Sequence, residues 1–507
     1  MTKIIRLLKW PSLLLLLPVI FLWHGYNENF GLLPLRTLAG LLLEYALVVV
    51  IFFLVAYLLL REGRRAFLFS FAGLAVYFLF GAFHDWIKAV LNNGFFSSYS
   101  FLLPSMLVLA IALVRLLRNS GRKWIRASNY CRWLLVLLLL IEVGTTVYQR
   151  VAEPYGGHSL LPDQRLAMPV PDNRHLPDIY FVVFDEYASS KALREAFDFD
   201  NSLMDSLLTS KGFFLSHNSS SNYNYTLLSL ASTFGLSYLD LKEDGMVFNQ
   251  PLSIRAYKAI GKNGLLRYLS AQGYALRNFG CFDLEGAPAP TYAYLGDDFF
   301  EKMVNTGTLS CRIKQDILWN FTAKNIFTGV PNFEPLQQER KKFLDRNQYN
   351  YEALMKELKT AHTGPRFVYC HLMLPHPPYY LDEKGALQPD TMQHYNRHNK
   401  DAYLHQLRYA NRLIGEIVNA AVQKTGRPRV VILEGDHGYR FYSDKASWKY
   451  AFMNLNSYYF SDGDYRGLYD GISPVNSFRL VLNKYFGQKL SMLPDTAFYL
   501  LDPDDYR

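Results

Sequence analysis

The sequence predicts two architectures in series: five transmembrane helices at the N-terminus, then a doubly wound α/β domain. Three observations carry that expectation. Half of the 507 residues are hydrophobic, and they crowd into the first 150 positions. Positive charge fills every second loop between the apolar runs. In the remainder, short β-branched runs alternate with helical stretches and end in acids or imidazoles. That is the pattern of a sheet whose chemistry sits at its strand exits.

The apolar runs fall at roughly 10–26, 37–60, 66–90, 101–118 and 130–148. Most are long enough for a hydrocarbon core of ~30 Å, which takes about 20 helical residues. Lys3, Arg6 and Lys9 precede the first run, and Arg61, Arg64 and Arg65 follow the second. Arg115, Arg118, Arg122, Lys123, Arg126 and Arg132 surround the fourth connection. The loops around Glu28 and Asn92 carry few positive charges, so the N-terminus is expected in the cytoplasm and everything after Tyr148 outside. The flank Trp23-His-Gly-Tyr-Asn lacks the small residues of a cleavage site, which favours an uncleaved anchor over a signal peptide. Trp23, Tyr26, Tyr99 and Tyr148 fall where an outer aromatic belt belongs. Glu44 stands out as a carboxyl inside a run. A channel or transporter is the rival reading, but the five runs show no repeat symmetry and lead into more than 300 further residues.

The formal charge of +9 raises the question of nucleic acid, yet much of the excess lies in short loops that topology explains, and no nucleic-acid partner is expected. The four cysteines contain no C-x-x-C pair, so neither a structural zinc module nor a thioredoxin-like site is indicated. Residues 149–177 are rich in Pro and polar side chains and read as a linker, which makes 1–148 the membrane domain and 178–507 the exported one.

The exported domain opens with Asp178-Ile-Tyr-Phe-Val-Val-Phe184, a strand that ends in Asp185-Glu186; ligation and helix capping are both open to Asp185. A helical stretch at 201–212 follows. Next comes Ser219-Ser-Ser-Asn-Tyr-Asn-Tyr-Thr226-Leu-Leu-Ser229-Leu-Ala-Ser232. Its apolar spacing from Thr226 onward suits a buried helix with Thr226 at its electropositive N-terminus, as a phosphoryl acceptor or a plain cap. Strand-like runs recur at 274–280 and 366–372, the latter leading from His371 to Pro375-His376-Pro377. In 403–421, Tyr403, Leu407, Ala410, Ile414, Ile417 and Ala421 share a helical face. The central strand Val430-Val-Ile-Leu-Glu-Gly then delivers Asp436-His437-Gly438, an oxygen and a nitrogen ligand side by side with a glycine for the turn.

Together these features resemble the alkaline phosphatase superfamily in its sulfatase-like branch, over about 178–500. The likeness is strongest to bacterial membrane-anchored transferases such as lipoteichoic acid synthase and lipid A phosphoethanolamine transferase. Asp185 matches the first acidic metal ligand, Asp436-His437-Gly438 the late metal pair, and Thr226 the threonine nucleophile. His371 and His376 match the histidine-bearing loop over substrate. Asn454 to Asn483, with Leu468-Tyr-Asp and Ser473-Pro-Val-Asn-Ser-Phe-Arg479, matches the C-terminal signature. The transferases usually place Glu at the first acidic position, so Asp185 and Glu186 both stand as candidate ligands. Classical sulfatases need Cys or Ser followed by Pro and Arg for formylglycine; Thr226, Leu228 and Leu230 occupy this segment instead.

The resemblance implies an enzyme of the bacterial inner membrane, multi-pass, with its catalytic domain outside. It would take a phospho-headgroup from a phospholipid donor, through phospho-Thr226, to a glycan or lipid acceptor. One divalent ion would be held by Asp185 or Glu186, Thr226, Asp436 and His437. Mixed nitrogen and oxygen ligands suit Zn or Mn better than Ca. His371 and His376 would bind phosphate oxygens or protonate the leaving alkoxide, and Arg440 would hold a non-bridging oxygen. A hydrolase of the same superfamily and an inactive scaffold are the alternatives. Cys281 and Cys311 both lie in the exported stretch, where a bridge closing about 30 residues would add roughly 3–4 kcal/mol.

Overall fold

Two compact units emerge, one of Met1–His158 with Leu295–Glu334, the other of Ser159–Tyr294 with Pro335–Arg507. The computed structural model describes residues 10–30, 33, 35–91, 94–118, 123–152, 160–162, 166–167, 176–242, 245–291, 303–317, 334–388, 396–424, 426–441 and 444–501.

The first unit is helical: α1 (Leu16–Glu28), α2 (Leu35–Leu60), α3 (Gly63–Leu91), α4 (Tyr99–Arg118) and α5 (Lys123–Ala152). Four stretches among the described residues are long and apolar enough to cross a membrane: Thr37–Leu60, Gly63–Leu91, Tyr99–Arg118 and Trp124–Val151. The first expected run differs. Its principal helix, α1, has 13 residues, about 20 Å at 1.5 Å per residue, short of a hydrocarbon core. Large apolar side chains stand open on the long helices, among them Leu43 at 75%, Leu109 at 68% and Trp133 at 74%. Exposure on that scale is what a lipid-facing surface needs and a water-facing one avoids.

Glu44 is exposed on α2. The more telling carboxyl lies in the fifth run and escaped the sequence reading. Glu142 of α5 is buried, accepts from Asn27 Nδ2 at 2.7 Å and faces His24 Nδ1 at 3.0 Å. A carboxyl in an apolar helix is tolerated when such partners satisfy it.

This unit also includes 303–317, which the sequence reading assigned to the exported domain. The helix Leu309–Asp316 is capped by Thr308, whose Oγ1 accepts the Cys311 amide at 3.3 Å. Arg312 pairs with Asp85 at 2.5 Å, Asp316 accepts from Tyr99 at 2.5 Å, and Gly81 N–H donates to Gly307 at 2.8 Å.

The second unit holds a six-stranded sheet. Its strands are β1 (Asp178–Phe184), β2 (Phe214–Leu215), β3 (Ala275–Phe279), β4 (Arg366–Leu372), β5 (Arg429–Gly435) and β6 (Asn456–Phe460). Their order is β2-β6-β5-β1-β4-β3. β1, β3, β4 and β5 run parallel; β6 is antiparallel to β5, and β2 to β6. All seven residues of β1, β4 and β5 are buried, as strands covered on both faces must be.

Alternation along the strands divides the core. Ile179, Phe181, Val183, Val430 and Ile432 pack with α6 (Thr226–Gly235) and a C-terminal helix, Pro474–Phe486. Tyr180, Val182, Phe184, Val431 and Leu433 pack with the amphipathic helix Lys400–Ala421. The expected strands thus form within a residue or two of their predicted ends. The antiparallel strands β2 and β6 are additions.

Candidate functional site

The parallel strands deliver their polar residues to one end of the sheet. Val183 of β1 lies opposite Glu434 of β5 and His371 of β4, so Asp185 and Asp436 both leave the sheet just past that register. One ligand atom from each of Asp185, Asp436 and His437 lies within 4.8 Å of the others, and all three residues are buried. Thr226 completes the group. Its Oγ1 is 3.3 Å from His437 Nε2 and 3.5 Å from Asp185 Oδ1.

Local structure settles the capping alternatives. The helix after β1 is capped by Ser189, not by Asp185. The N-cap of α6 is Tyr225, which makes no side-chain cap bond. Thr226 is the first helical residue and the single one of α6 that is not fully buried. Its hydroxyl therefore faces the acid cluster at the positive end of the helix. The loop before it is pinned by amides: Asn222 Oδ1 accepts from Val475 N–H at 2.9 Å, and Asn224 exchanges bonds of 3.0 and 2.9 Å with the Leu500 backbone.

Asp185 and Glu186 part company. Glu186 adopts a left-handed backbone, φ 63°, and its carboxyl is not part of the three-residue cluster. Its Oε1 accepts from Arg440 N–H at 3.3 Å, its amide donates to Asp436 Oδ1 at 2.9 Å, and its carbonyl accepts from Tyr403 at 2.9 Å. A non-glycine held there stores strain that three hydrogen bonds offset.

The glycine after His437 works differently from expectation. Its φ is not positive; a Cβ there would lie 2.1 Å from Tyr450 O and 2.8 Å from Met453 O. Close backbone approach, not turn geometry, requires glycine. The Gly438 carbonyl accepts from His437 Nδ1 at 2.7 Å. A carbonyl can only accept, so Nδ1 bears the proton and the Nε2 lone pair faces the cluster.

His371 is fully buried in β4, with Nε2 3.2 Å from Asp185 Oδ2 and Nδ1 2.9 Å from the Tyr369 hydroxyl. His376 lies on the following loop, half-buried. Its Nδ1 donates to the Pro377 carbonyl, and its own carbonyl accepts from Gln406 Nε2 at 2.9 Å. The Arg440 guanidinium stacks 4.5 Å over the ring of Tyr225, beside Thr226.

Electrostatics follow from this packing. Burial would raise the Asp185 carboxyl, but the imidazoles of His376, His371 and His437 outweigh it and hold it well below the usual carboxylate range. Burial drives Glu186 well up, against the pull of Arg440. It does the same to Glu434, where Asp436 adds to it and the Ser477 hydroxyl opposes. Burial would lower His371, yet the Cys281 sulfur and Asp185 win and push it up to about 10. His376 is lowered by burial, with Arg440 adding to the effect.

The donor set fits a divalent ion. Asp436 Oδ2 is buried with no hydrogen-bond partner among the described residues, and Asp185 Oδ1, His437 Nε2 and Thr226 Oγ1 face the same point. One nitrogen and three oxygens, two of them from carboxylates, are donors for a borderline metal.

The expected disulfide does not form. Neither Cys281 nor Cys311 is in a disulfide. Cys281 is buried in the core, its sulfur 3.8 Å from His371 Nδ1, while Cys311 lies on the helix Leu309–Asp316 of the other compact unit.

The sequence gives no sign of the roles of the residues that hold these groups. Asn454 donates to Gly435 O at 2.6 Å and accepts from Ser219 at 3.0 Å, tying β5 to the Thr226 loop. Tyr403 and Gln406 anchor the Glu186 and His376 backbones. Gln406 did leave a signal: it is a polar residue on the buried face of an otherwise apolar helical stripe.

The sulfatase family model matches residues 194–478, a stretch that contains Thr226, His371, His376, Asp436, His437 and Arg440. Solved structures overlap at low scores. Lipooligosaccharide phosphoethanolamine transferase A from Neisseria meningitidis, an integral membrane protein, is 12% identical over 95% of this chain and 96% of its own, TM-score 0.37. The periplasmic domain of EptC from Escherichia coli, in complex with Zn, is 9% identical over 67% and 91%, TM-score 0.38. A phosphonate monoester hydrolase from Silicibacter pomeroyi is 12% identical over 63% and 75%, TM-score 0.38. No curated protein matches the chain.

Proposed function

The chain belongs to the sulfatase family of the alkaline phosphatase superfamily, and on that premise we propose that it is a membrane-bound phospho-headgroup transferase. The group moved is of phosphoethanolamine or phosphoglycerol type, the donor a phospholipid, and the acceptor a hydroxyl of an envelope glycan or lipid. The observation that carries this reading is the Thr226 hydroxyl, at a helix N-terminus and within 3.5 Å of both His437 and Asp185.

Thr226 is the nucleophile. Its Oγ1 bonds to phosphorus, the bond to the diacylglycerol oxygen breaks, and the headgroup phosphate rests on Thr226 until an acceptor hydroxyl takes it. Asp185, Asp436, His437 and Thr226 would hold one Zn or Mn ion, which when bound lowers the hydroxyl's pKa and draws charge from the phosphoryl oxygens. The Arg440 guanidinium, parked over Tyr225, binds a non-bridging oxygen, and the α6 N-terminus stabilises the same charge. His376 takes the Thr226 proton as the hydroxyl attacks and passes it to the leaving alkoxide, then takes the acceptor's proton and returns it to Thr226. Thr226, Leu228 and Leu230 stand where formylglycine formation needs Cys or Ser, Pro and Arg, which argues against sulfate-ester hydrolysis by that route.

The reading takes the protein as a multi-pass protein of a bacterial inner membrane with its catalytic unit outside, supported by four helices long and apolar enough to cross a membrane and by the basic loops. Such an anchor keeps the site beside its lipid donor, which favours transfer over hydrolysis. The test is full-length protein in vesicles of phosphatidylethanolamine or phosphatidylglycerol, supplied with Zn or Mn and a glycan acceptor. Diacylglycerol release with the headgroup phosphate on the acceptor supports transfer. Release with the headgroup phosphate only in water makes the protein a hydrolase, and no release makes it a scaffold.

A further inference from the structure

His371 cannot reach a substrate from where it lies. It is fully buried within β4, roofed by Phe282, whose ring centroid is 5.8 Å away. Both of its ring nitrogens face groups inside the protein, in opposite directions. Nδ1 meets the Tyr369 hydroxyl at 2.9 Å, with the Cys281 sulfur further off at 3.8 Å. Nε2 lies 3.2 Å from Asp185 Oδ2, an ion-pair contact that falls outside hydrogen-bond geometry. The backbone of His371 is fixed as well, its carbonyl accepting from Asn350 Nδ2 at 3.0 Å.

The two oxygens of Asp185 are thereby divided. Oδ2 faces His371, at the back of the site. Oδ1 faces forward, 3.5 Å from Thr226 Oγ1 and 4.0 Å from His437 Nε2. The Asp185 amide donates to Leu372 O at 2.9 Å, so the residue after His371 also holds the backbone that carries this carboxyl. A ligand carboxylate free to rotate presents either oxygen or both; one gripped from behind presents one oxygen in one direction. The Tyr369 ring is itself fixed, stacked 5.8 Å from Phe181 and edge-on to Phe234 at 5.3 Å. The chain of contacts thus begins in the hydrophobic core and ends at the candidate metal centre.

We propose that Tyr369 and His371 act as positioning residues for the metal centre, holding Asp185 so that Oδ1 alone faces the ion, and that His371 takes no part in substrate contact. The inference rests on the reading of Asp185 as a metal ligand. A donor at Nε2 is the feature that matters, and the Tyr369 hydroxyl orients the ring that supplies it. Loss of an outer contact of this kind typically costs about 10–100-fold in metal affinity.

The test is metal affinity of the full-length protein, measured by competition with a chromogenic chelator for Zn and for Mn. Asp185→Asn checks the premise: affinity equal to wild type means Asp185 is no ligand, and the reading beneath the inference fails. With that premise intact, His371→Leu binds about 10–100-fold more weakly, while His371→Gln, which keeps an N–H near the Nε2 position, stays within a few-fold of wild type. Tyr369→Phe shows a smaller loss in the same direction. Where the loaded variants turn over, kcat falls and KM for the lipid donor holds, because the affected group touches the ion and not the lipid. His371→Leu with wild-type affinity overturns the inference. If that variant fails to fold, Tyr369→Phe decides: weakened binding upholds the inference and unchanged binding overturns it. A KM effect of His371→Gln with unchanged metal affinity also overturns it, by returning the imidazole to substrate contact.

Discussion

Thr226 Oγ1 stands 3.3 Å from His437 Nε2 across 211 residues of sequence. The imidazole proton is fixed on Nδ1 by the Gly438 carbonyl, so a lone pair, not an N–H, faces the hydroxyl. Two groups with lone pairs directed at one point are arranged around something they share.

Replacement of Thr226 separates nucleophile from helix residue. Thr226→Ala should abolish turnover while the fold and bound metal persist; Thr226→Ser should keep a fraction of activity. Tyr225, not Thr226, occupies the cap position, so the stability cost should stay below the ~1 kcal/mol of a lost cap. Mass spectrometry of wild-type protein after incubation with phospholipid should find the headgroup phosphate on the Thr226 peptide. A fully active Ala variant would falsify the covalent route.

Asp436→Ala and His437→Ala should each lose bound metal and activity in the folded full-length protein, as read by elemental analysis. Both variants retaining metal at the wild-type ratio would remove this pair from the ligand set.

Glu434 gives a pH signature. Burial holds its folded pKa well above 4.5. The folded state therefore binds a proton that the unfolded chain releases from pH 4.5 upward. The native state is favoured by that proton at low pH and loses the advantage as pH climbs toward the raised folded value. Glu434→Gln, neutral at every pH, should flatten the fall of thermal stability above pH 4.5 and raise the melting temperature near pH 8. An unchanged slope would mean that the carboxyl is ionised in place.

Gly438→Ala places a methyl group 2.1 Å from Tyr450 O. Relief requires the backbone of 450–453 to move, and overpacking of this kind costs about 1–3 kcal/mol. Urea unfolding should show the loss, together with weaker metal binding as His437 shifts. A variant as stable as wild type would show that the segment yields freely.

Topology can be checked directly. A reporter active only outside the cytoplasm should work when fused after Tyr148 and stay silent when fused within 119–127. The opposite pattern would reverse the orientation drawn from the basic loops.

The sequence was legible where physics is local. Buried parallel strands read as continuous apolar runs, and β1 and β4 form where those runs lie. Acid and imidazole at strand exits were readable because sheet geometry brings strand ends together whatever the intervening chain does. Residues that act through distant partners were not. β6 was invisible because its sequence, Asn-Ser-Tyr-Tyr-Phe, has no clean alternation and finds its place by pairing with β5. Asn224 looked like ordinary loop polarity, and Asn454 opened the C-terminal signature without any sign of what it holds. The left-handed backbone at Glu186 left no mark in the sequence, and the glycine requirement at 438 depends on a carbonyl contributed from residue 450. Cys281 and Cys311 share a stretch of sequence but not a compact unit, which spacing alone cannot reveal.

The return of 303–317 to the helical unit changes what cutting the chain can accomplish. The path crosses between the units at 158–159, 294–295 and 334–335. A cut at the first crossing parts residues 1–158 from everything after them, but 303–317 still bonds to Tyr77, Asp85 and Tyr99 of the same unit, so one nick severs the chain without removing that noncovalent hold. A gene fragment that starts after the last long helix still encodes Val304 and Thr308, both buried in the full protein, without the Tyr77, Asp85 and Tyr99 side chains that hold the 303–317 stretch. Truncation at the N-terminus alone therefore leaves the 303–317 stretch in the recombinant protein without the side chains that hold it.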